Sequence, residues 1–373
     1  VLSKAKLDWT DDGKIRVLYV QGTPYERGYQ HGALLRKEVQ ENFGYLYQQV
    51  QKKFKTKELF AEAYERLRPY IPQEYIEEMH GLAHGAQVPL EMIHHLHALP
   101  SITEWGGKKK LKEIVRQMMD GSLGPMCSNV AVLPAASKNH KLYAVRVLDW
   151  GLHRMSRLHQ FPLITVNRTN NTDSVVVGWV GFLGAVSGMS ARGLTLGEMG
   201  YGDPEYETLR GMPMIFLLRE VLDKARSLGD AERLIERSPG TNSFAYVISD
   251  AQSQTAKLFI KDSQRFMSFK PGVTMADRSD VYPAIPGVVY GGHFDEKMYQ
   301  ILSTMHGELT PENLMEKVVP EIAMKSNFHN VIYDPQALWL WTNNAKSSEE
   351  RAAEQPYTFF DFSAAQKQFP SNE

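Results

Sequence analysis

The sequence contains a single cysteine, Cys127, among its 373 residues. One thiol can form neither an intrachain disulfide nor a metal site built from several cysteines. It can still act as a nucleophile, although a lone cysteine is more often a small, buried, apolar residue. The sequence therefore excludes a disulfide-stabilised fold and directs attention to the neighbours of Cys127.

An excess of charge of either sign is also lacking, because 42 basic residues are balanced by 43 acidic ones and the net charge is -1. Proteins that bind nucleic acid through its phosphates present an excess of Lys and Arg. We therefore expect a small-molecule substrate and no nucleic-acid partner.

Long apolar runs are absent as well. The uncharged stretch 174–191 is rich in glycine and serine and is too polar for a helix that spans a bilayer. We expect no transmembrane segment. The chain begins at Val1 without an initiator methionine. This suggests that a leader or tag has been removed, and we expect an exported protein.

The first third of the chain predicts mostly helices. A short apolar run at 15–20 predicts a strand, and after it apolar residues recur at helical spacing. The predicted helices cover 27–54, 58–67, 73–86, 89–98 and 108–119. The chain-breaking residues 121–125 end this part. We therefore assign 1–126 to an N-terminal, mostly helical segment that packs on the same core as the rest.

Beyond residue 126 short apolar and β-branched runs predict strands, with helices between them. The predicted strands are 128–133, 141–148, 174–180, 194–198, 244–250, 255–260, 330–333, 338–342 and 357–360. The predicted helices are 213–228, 230–237, 294–305 and 311–319. Two groups of antiparallel strands with helices outside them predict an α+β fold, a four-layer αββα sandwich with its core in 127–373.

Two charged residues belong to the predicted hairpin partner of the strand that Cys127 opens. Arg146 and Asp149 stand near the end of that partner strand. A nearby cation lowers the pKa of a thiol, and a carboxylate can hold an amine. The alternative is an ion pair at a strand end with no chemical role.

A second candidate is Asn242, which directly precedes a predicted strand. From there its amide can donate to an oxyanion, although Asn before a strand is often only turn chemistry. The glycine-rich stretch 181–190 lacks the Lys-Ser/Thr pair of a phosphate loop, and close packing of strands explains its glycines better. His94, His95 and His97 lack the four-residue spacing of a helical zinc site, so we expect no metal.

Taken together, these segments resemble the acyl-coenzyme A:6-aminopenicillanate acyltransferase-like family. That family is a branch of the cysteine N-terminal nucleophile (Ntn) hydrolases, which include relatives of bile-salt hydrolase and acid ceramidase. The segments that carry the resemblance are Arg27-Gly-Tyr-Gln-His-Gly32, Glu77-Glu-Met-His-Gly-Leu-Ala-His-Gly-Ala86, Cys127-Ser-Asn129, Arg146-Val-Leu-Asp149-Trp150, Gly188-Met-Ser-Ala-Arg-Gly-Leu194 and Gly240-Thr-Asn-Ser-Phe244.

The resemblance implies self-cleavage between Met126 and Cys127. Cys127 would then supply the attacking sulfur and, through its freed α-amine, its own base, with no cofactor. It further implies that Asp149 orients the amine, Arg146 stabilises the thiolate or the substrate carbonyl, and Asn242 holds the oxyanion.

Two positions depart from the family's usual pattern. Met126 stands where the family usually has glycine or another small residue before the cysteine. Ser190 stands where many relatives carry Asn, which makes its hydroxyl an alternative oxyanion donor. We also expect aromatic and apolar residues near the site to favour a linear or aromatic acyl group, namely Trp150, Trp179, Phe182 and Met189.

The sequence leaves three functions open. Amide hydrolysis is favoured over acyl transfer, because no phosphate loop or basic cluster is present for a coenzyme A nucleotide. The second function is ester hydrolysis of an acyl lipid. It is suggested by Cys127-Ser128 followed by Val132-Leu133-Pro134, which is similar to the phospholipase B-like group. The third is a non-catalytic binding protein with Cys127 left inside an uncleaved chain.

Overall fold

A computed structural model describes residues 1–54, 58–103, 127–154, 156–200, 206, 208–272, 283–292 and 295–370. Among these residues the strands form two sheets, one of nine strands and one of six. The strands are β1 Lys6–Trp9, β2 Arg16–Gln21, β3 Cys127–Val132, β4 Tyr143–Asp149, β5 Pro162–Arg168, β6 Ser174–Trp179, β7 Ser187–Ser190, β8 Leu194–Gly200, β9 Phe244–Asp250, β10 Thr255–Lys261, β11 Phe266–Phe269, β12 Val288–Gly292, β13 Asn327–Asp334, β14 Trp339–Asn344 and β15 Thr358–Asp361.

The helices fall into two groups, one from the N-terminal part of the chain and one inserted between the later strands. They are α1 Pro24–Leu34, α2 Arg36–Phe54, α3 Glu58–Leu67, α4 Gln73–Ala86, α5 Leu90–Thr103, α6 Met214–Lys224, α7 Leu228–Arg237, α8 Asp295–Thr304, α9 Pro311–Asn313, α10 Val319–Ile322 and α11 Phe362–Ala365. The π-helical turn Leu314–Val318 joins α9 to α10.

The nine-stranded sheet has the order β1-β2-β5-β6-β7-β8-β9-β10-β11, and the six-stranded sheet has the order β12-β3-β4-β13-β14-β15. All pairings are antiparallel except that of β2 with β5, which is parallel. The predicted α+β class with two antiparallel sheets is therefore confirmed. The N-terminal part also contributes β1 and β2 to the larger sheet, so it is not only a helical layer.

Alternation along β4 shows how the layers are arranged. Tyr143, Val145 and Val147 belong to an apolar cluster formed with α8 and the helical region 311–322. Ala144 and Leu148 belong instead to clusters shared with the nine-stranded sheet. Because successive side chains of a strand point to opposite faces, one face of the six-stranded sheet packs on helices and the other on the second sheet.

Helices α1 and α4 pack with their backbones in close approach. A Cβ on Gly28 or Gly32 of α1 would overlap main-chain atoms of α4, and a Cβ on Gly81 or Gly85 would overlap main-chain atoms of α1. These glycines come from two of the segments that carry the family resemblance. Their spacing therefore serves helix packing in this chain.

Several element boundaries differ from the sequence-based prediction. The prediction of a single helix over 27–54 is wrong, because the helix is interrupted at Leu35, which separates α1 from α2. Helix α5 continues past residue 98 to Thr103 with Pro100 inside it. The predicted helix 108–119 and the breaker 121–125 lie outside the described residues.

Some strands were not predicted. They are β1, β5, β7, β11 and β12. Strand β7 is four residues of serine, glycine and methionine, a composition with little strand propensity of its own. Its conformation is fixed by pairing with both β6 and β8.

Candidate active site

Cys127 is the first residue of β3, and its side chain is buried. It lines a cavity with an empty volume of about 410 Å³, where β3 begins and β4 ends. The other described residues that line this cavity are Pro100, Leu148, Asp149, Trp150, Val186, Glu198, Gly200, Met214 and Phe244. The structure therefore brings together Cys127, Asp149 and Trp150, three residues predicted from the sequence.

Arg146 is fully buried and connects the two sheets. Its Nη2 atom donates to Glu198 Oε1 at 2.6 Å, its Nη1 to Val147 O at 2.8 Å and its Nε to Val186 O at 3.2 Å. A Cβ at Gly197 would overlap the Asn129 side chain, and it would also lie 3.2 Å from Arg146 Cδ. The glycine therefore makes room mainly for Asn129, whose Nδ2 donates to Glu198 O.

Glu198 was not predicted as a site residue. It stands in β8 and is the ion-pair partner of Arg146. The available signal was an acidic residue inside an otherwise apolar strand sequence, since a buried carboxylate needs a partner. Burial raises the pKa of Glu198, and Arg146 opposes that rise.

The thiol of Cys127 is held in its neutral form. Burial raises its pKa to about 12, although Arg146 acts in the opposite direction. Glu198 and Asp149 add to the rise, since a nearby negative charge disfavours a thiolate. In the uncleaved chain the thiol therefore needs a base before it can attack a carbonyl.

Asp149 is buried, and among the described residues only one of its carboxylate oxygens has a hydrogen-bond partner. Oδ1 accepts hydrogen bonds from Met324 N at 3.1 Å and from Asn327 Nδ2 at 3.0 Å. Among the described residues Oδ2 has no hydrogen-bond partner. Burial raises the pKa of Asp149 to about 7, against the lowering effect of these two hydrogen bonds. The cavity that holds the thiol thus also contains a carboxylate with an unused acceptor.

A small group of buried asparagines fixes the Asp149 carboxylate. Asn327 donates to Leu148 O at 3.2 Å as well as to Asp149, and it exchanges hydrogen bonds with Asn330. Asn330 in turn donates to Asn343 Oδ1 at 2.9 Å. These asparagines were not predicted, because in sequence they cannot be distinguished from ordinary turn residues.

Asn242 lies just before β9 and is buried. Its Nδ2 atom donates to Ser101 O of α5 at 3.2 Å, and among the described residues its Oδ1 atom has no partner. Pro100, next to Ser101, and Phe244 both line the cavity of Cys127. Asn242 therefore joins two segments that form the cavity, and one of its two amide hydrogens is engaged with the backbone.

Ser190 and Met189 lie away from this cavity. Ser190 Oγ accepts a hydrogen bond from Leu194 N at 3.3 Å, in the turn from β7 to β8. The cavity is lined by Val186, at the opposite end of β7. Met189 is part of the core between the sheets. The predicted cleavage residue Met126 lies outside the described residues.

A serine and a histidine form a buried pair that was not predicted. Ser187 Oγ lies 2.7 Å from His329 Nε2, and both side chains are fully buried. Burial lowers the pKa of His329 to about 3, and Arg146 lowers it further, so the imidazole is neutral. Neither residue is among those that line the cavity of Cys127.

Two of the histidines hold backbone amides. His31 Nε2 accepts a hydrogen bond from Gly181 N, and His97 Nε2 accepts one from Leu183 N, each at 3.0 Å. Within the described part of the chain, no group of three or more His, Cys, Asp or Glu side chains could hold a metal ion. None of the helices described here has the length and hydrophobicity needed to cross a membrane.

A second set of buried charges, the Arg219 cluster, consists of Arg27, Glu78, Arg219 and Asp223. Glu78 accepts from Arg27 at 3.2 Å and from Arg219 at 3.5 Å, one on each oxygen. Arg219 also forms an ion pair with Asp223 at 3.0 Å. These residues come from α1, α4 and α6, so the Arg219 cluster ties the N-terminal helices to the core.

Both oxygens of Asp223 also accept hydrogen bonds, Oδ1 from Ser174 Oγ at 3.1 Å and Oδ2 from the Tyr75 hydroxyl at 3.4 Å. On the donor side, Arg27 Nε has no partner among the described residues. In this cluster, then, all four carboxylate oxygens are in use.

Comparison with known proteins gives two related proteins from Dictyostelium discoideum. Protein dcd1B is 24% identical over 364 residues, which cover 87% of this chain and 67% of that protein. Protein dcd1A is 24% identical over 319 residues, covering 75% of this chain and 66% of that protein. The alignments thus span about two thirds of the length of these relatives.

Among solved structures, similarity is found to a variant of the conjugated bile acid hydrolase from Clostridium perfringens. The TM-score is 0.46 at 11% identity, over 66% of this chain and 95% of that one. The N-acylethanolamine-hydrolyzing acid amidase ortholog of Caenorhabditis elegans gives a TM-score of 0.43 at 11% identity, over 56% and 93% of the two chains.

A family model matches a central part of the sequence. Residues 168–276 match the model of the acyl-coenzyme A:6-aminopenicillanic acid acyl-transferase family. This segment contains Glu198 and Asn242 but not Cys127. Over the matched residues the chain is similar to this family, which the sequence resemblance predicted, and two of the segments that carry the resemblance, 188–194 and 240–244, lie within them.

Proposed function

We propose that this protein is a cysteine Ntn hydrolase that cleaves non-peptide acyl amides after releasing Cys127 as a new N-terminus. The observation that carries the proposal is the Oδ2 atom of Asp149, which is buried, has no partner within the described part of the chain and belongs to a residue that lines the cavity of Cys127. A buried carboxylate oxygen without a donor is costly. The α-amine of a freed Cys127 would supply a charged donor at this position.

The proposed activation step is an attack by Cys127 Sγ on the carbonyl carbon of Met126. The thiol proton passes to Asp149, whose pKa of about 7 suits proton transfer near neutral pH. Asp149 passes this proton to the nitrogen as the Met126–Cys127 C–N bond breaks, and a thioester remains. Water then hydrolyses the thioester, leaving the carboxylate of Met126 and a free amine and thiol on Cys127.

In the proposed reaction cycle the α-amine takes the thiol proton, and the sulfur attacks the amide carbonyl of the substrate. An ordinary α-amine titrates near about 7.7 to 8.0, close to the range in which a general base works best. The resulting ammonium protonates the departing nitrogen, and a thioester forms on Cys127. The amine then deprotonates a water molecule, which attacks the thioester and releases the acid.

The remaining residues of the site have supporting roles in this proposal. Arg146 is held by Glu198 and by two carbonyl oxygens, so its charge is fixed beside the thiol and stabilises the thiolate. Asn242 would donate to the tetrahedral oxyanion. Nδ2 carries two hydrogens, and because one of them donates to Ser101 O, the other would serve the oxyanion.

The cleavage step is tested by intact mass and N-terminal sequencing of the purified protein under denaturing conditions. We expect two fragments, residues 1–126 and 127–373, and a new terminus that reads Cys-Ser-Asn. Cys127→Ala should remain a single chain and lose turnover. Asp149→Asn should fold but cleave itself more slowly, because it lacks the carboxylate that accepts the thiol proton. Its cleaved fraction should turn over about 10²-fold more slowly, because the amine loses its charged partner.

The reaction is tested with matched N-acyl amino acids, acyl esters and acyl-coenzyme A plus an amine acceptor, scored by kcat/KM and by dependence on Cys127. Cys127-dependent release of free acid from amides supports the proposal. Cleavage of esters without cleavage of amides would assign the site to lipid ester hydrolysis. Acylated amine formed in preference to free acid would make the protein a transferase. An uncleaved wild-type chain without turnover would contradict the proposal.

A further inference from the structure

Strand β13 contains a one-residue β-bulge where it pairs with β4. Asn327 pairs with Asp149 of β4. The next pairing joins His329 to Leu148, so Phe328 is an extra residue on β13. A bulge bends its strand and changes the direction of the side chains around it, and bulges are frequent next to active sites. Both β4 residues of these pairings line the cavity of the candidate active site, so the bulge lies beside that cavity.

Asn327, which precedes the bulge, holds the carboxylate of Asp149. Its Nδ2 atom donates to Asp149 Oδ1 at 3.0 Å, and its own Oδ1 atom accepts from Ala353 N at 2.8 Å. The amide of Asn327 is therefore fixed through both of its polar atoms. Burial raises the pKa of Asp149, and the hydrogen bond from Asn327 opposes that rise. Asn327 thus favours the charged carboxylate that the proposed reaction needs.

Phe328 and His329, at the bulge itself, both contact the opposite sheet. The Phe328 ring stacks on Trp179 of β6 with the ring centroids 4.3 Å apart, and the His329 ring lies 5.1 Å from the same indole. Successive side chains of a regular strand point to opposite faces, whereas the bulge brings these two to one face. In this position His329 Nε2 lies 2.7 Å from Ser187 Oγ of β7.

The hydrogen bond between Ser187 and His329 lies next to a contact that holds Arg146. Val186 precedes Ser187, and its carbonyl oxygen accepts from Arg146 Nε at 3.2 Å. Because Val186 and Ser187 share a rigid peptide unit, the bond to His329 also fixes this carbonyl. Burial lowers the pKa of His329 to about 3, so the neutral imidazole does not repel the guanidinium. The guanidinium in turn opposes the rise that burial causes in the pKa of the Cys127 thiol.

We propose that the bulge of β13 positions both charged groups that the proposed reaction uses. Asn327 positions the carboxylate of Asp149. Ser187 and His329 position the guanidinium of Arg146. None of these three is among the described residues that line the cavity, so each is a positioning residue. The inference rests on the proposed function for the chemical use of the two charged groups.

The first test measures alkylation of Cys127, the single thiol of the chain, by iodoacetamide at about pH 8. Intact mass distinguishes the cleaved from the uncleaved chain. Ser187→Ala and His329→Leu should slow alkylation about tenfold, because a displaced guanidinium stabilises the thiolate less. His329→Gln keeps a neutral hydrogen-bonding group and should restore most of the rate. Ser249→Ala is the matched control with a wild-type rate, since it removes a fully buried hydroxyl that bonds to Thr195 Oγ1 at 2.5 Å.

The second test follows the protonation of Asp149 in Cys127→Ala by infrared spectroscopy across the pH range. Asp149→Asn in the same background assigns the carboxyl band. Asn327→Leu should move the titration midpoint upwards by about one pH unit, because a donor to the charged form is lost. The other charged groups that act on this carboxyl, Arg146 and Arg351, are not changed by the substitution.

Asn42→Leu is the matched control for Asn327→Leu. Asn42 is also fully buried, and its Nδ2 atom donates to Val180 O at 2.8 Å, in the turn after β6. It should leave the titration midpoint unchanged. A thermal melt checks that each variant is folded. If a leucine variant does not fold, Ser187→Ala tests the contact of His329, and Asn327→Ser tests the contact with the carboxylate.

The two readouts should respond separately. Ser187→Ala should leave the midpoint of Asp149 unchanged, and Asn327→Leu should not slow alkylation of Cys127. A wild-type alkylation rate in folded Ser187→Ala, or an unchanged midpoint in a folded Asn327 variant, would overturn the inference even if the protein hydrolyses amides. The expected pattern in a protein that hydrolyses no acyl amide would support the positioning roles and refute the proposed reaction.

Discussion

The cavity of Cys127 and the Arg219 cluster contain the same kinds of charged groups, yet their carboxylates differ. In the Arg219 cluster both oxygens of Glu78 and both oxygens of Asp223 accept hydrogen bonds. In the cavity Asp149 accepts on Oδ1 alone, and Oδ2 has no partner among the described residues. All three carboxylates are buried.

This difference in hydrogen bonding distinguishes buried carboxylates that stabilise the fold from those that are available for chemistry. A buried carboxylate that is fully hydrogen-bonded stabilises one arrangement of its elements. A buried carboxylate with a free acceptor costs stability, and such a cost persists in a protein mainly where a function needs it. The comparison therefore assigns a structural role to the Arg219 cluster and supports a chemical role for Asp149.

Removing the cation from each set of charges gives the largest expected effect. Arg219→Met and Arg146→Met should each lower the free energy of unfolding by about 3 to 5 kcal/mol, because each leaves a buried carboxylate without its partner. Only Arg146→Met should also reduce kcat, by about 10²-fold or more, at a temperature where both variants are folded. Urea unfolding and steady-state kinetics measure the two quantities.

Arg146→Lys is the conservative control for that experiment. A lysine cannot reproduce the three contacts of the guanidinium, so its kcat should be little better than that of Arg146→Met. An equal loss of kcat in folded Arg219→Met and Arg146→Met would show that the two sets of charges are not functionally distinct.

The next effect is a pH dependence of stability that comes from Asp149 in the uncleaved chain. Its pKa of about 7 is raised from the ordinary value of 3.8, so the folded state binds the proton more tightly than the unfolded state. The stabilisation by this proton is complete below about pH 4 and is lost as the pH rises through 7, for a total of about 4 kcal/mol. We expect this in Cys127→Ala relative to Cys127→Ala/Asp149→Asn, measured by urea unfolding across that range.

The cleaved wild-type protein should lack this dependence, because the ammonium group of Cys127 would keep Asp149 ionised. The difference in unfolding free energy between the two variants could instead stay constant from pH 4 to pH 7. In that case the carboxyl of Asp149 has an ordinary pKa in the folded chain.

The last effect is expected at Asn242 and concerns turnover. Asn242→Ala should lower kcat by about 10² to 10³ with little change in KM, because an oxyanion donor acts mainly in the transition state. Ser190→Ala is the control and should have near-normal kinetics, since Ser190 lies at the other end of β7 from the cavity. A change confined to KM in Asn242→Ala would mean that the contact with Ser101 only shapes the cavity.

The sequence was sufficient for much of the fold because apolar periodicity distinguishes helices from strands. Helices α3 and α4 and strand β9 have the predicted bounds. The interruption at Leu35 was not predicted, because the helical spacing of apolar residues continues from α1 into α2. Strand β7 was missed because its conformation depends on neighbours that are distant along the chain until the sheet forms.

The same limit applies to the candidate site. Cys127 and Asp149 could be placed together because they stand on one predicted hairpin, in which β3 pairs with β4. Glu198 and Asn327 could not, because the first comes from the other sheet and the second from β13. Their contacts depend on tertiary packing, which single-sequence patterns do not encode.

The glycine contacts between α1 and α4 also have a mechanical consequence. Where two helices touch through side chains, rotamer changes can absorb a small slide of one helix along the other. Here Gly28 and Gly32 meet main-chain atoms of α4, and main chain cannot change rotamer. The pair should therefore move as one stiff body. Because α1 carries Arg27 and α4 carries Glu78, the geometry of that buried ion pair is set by the backbones.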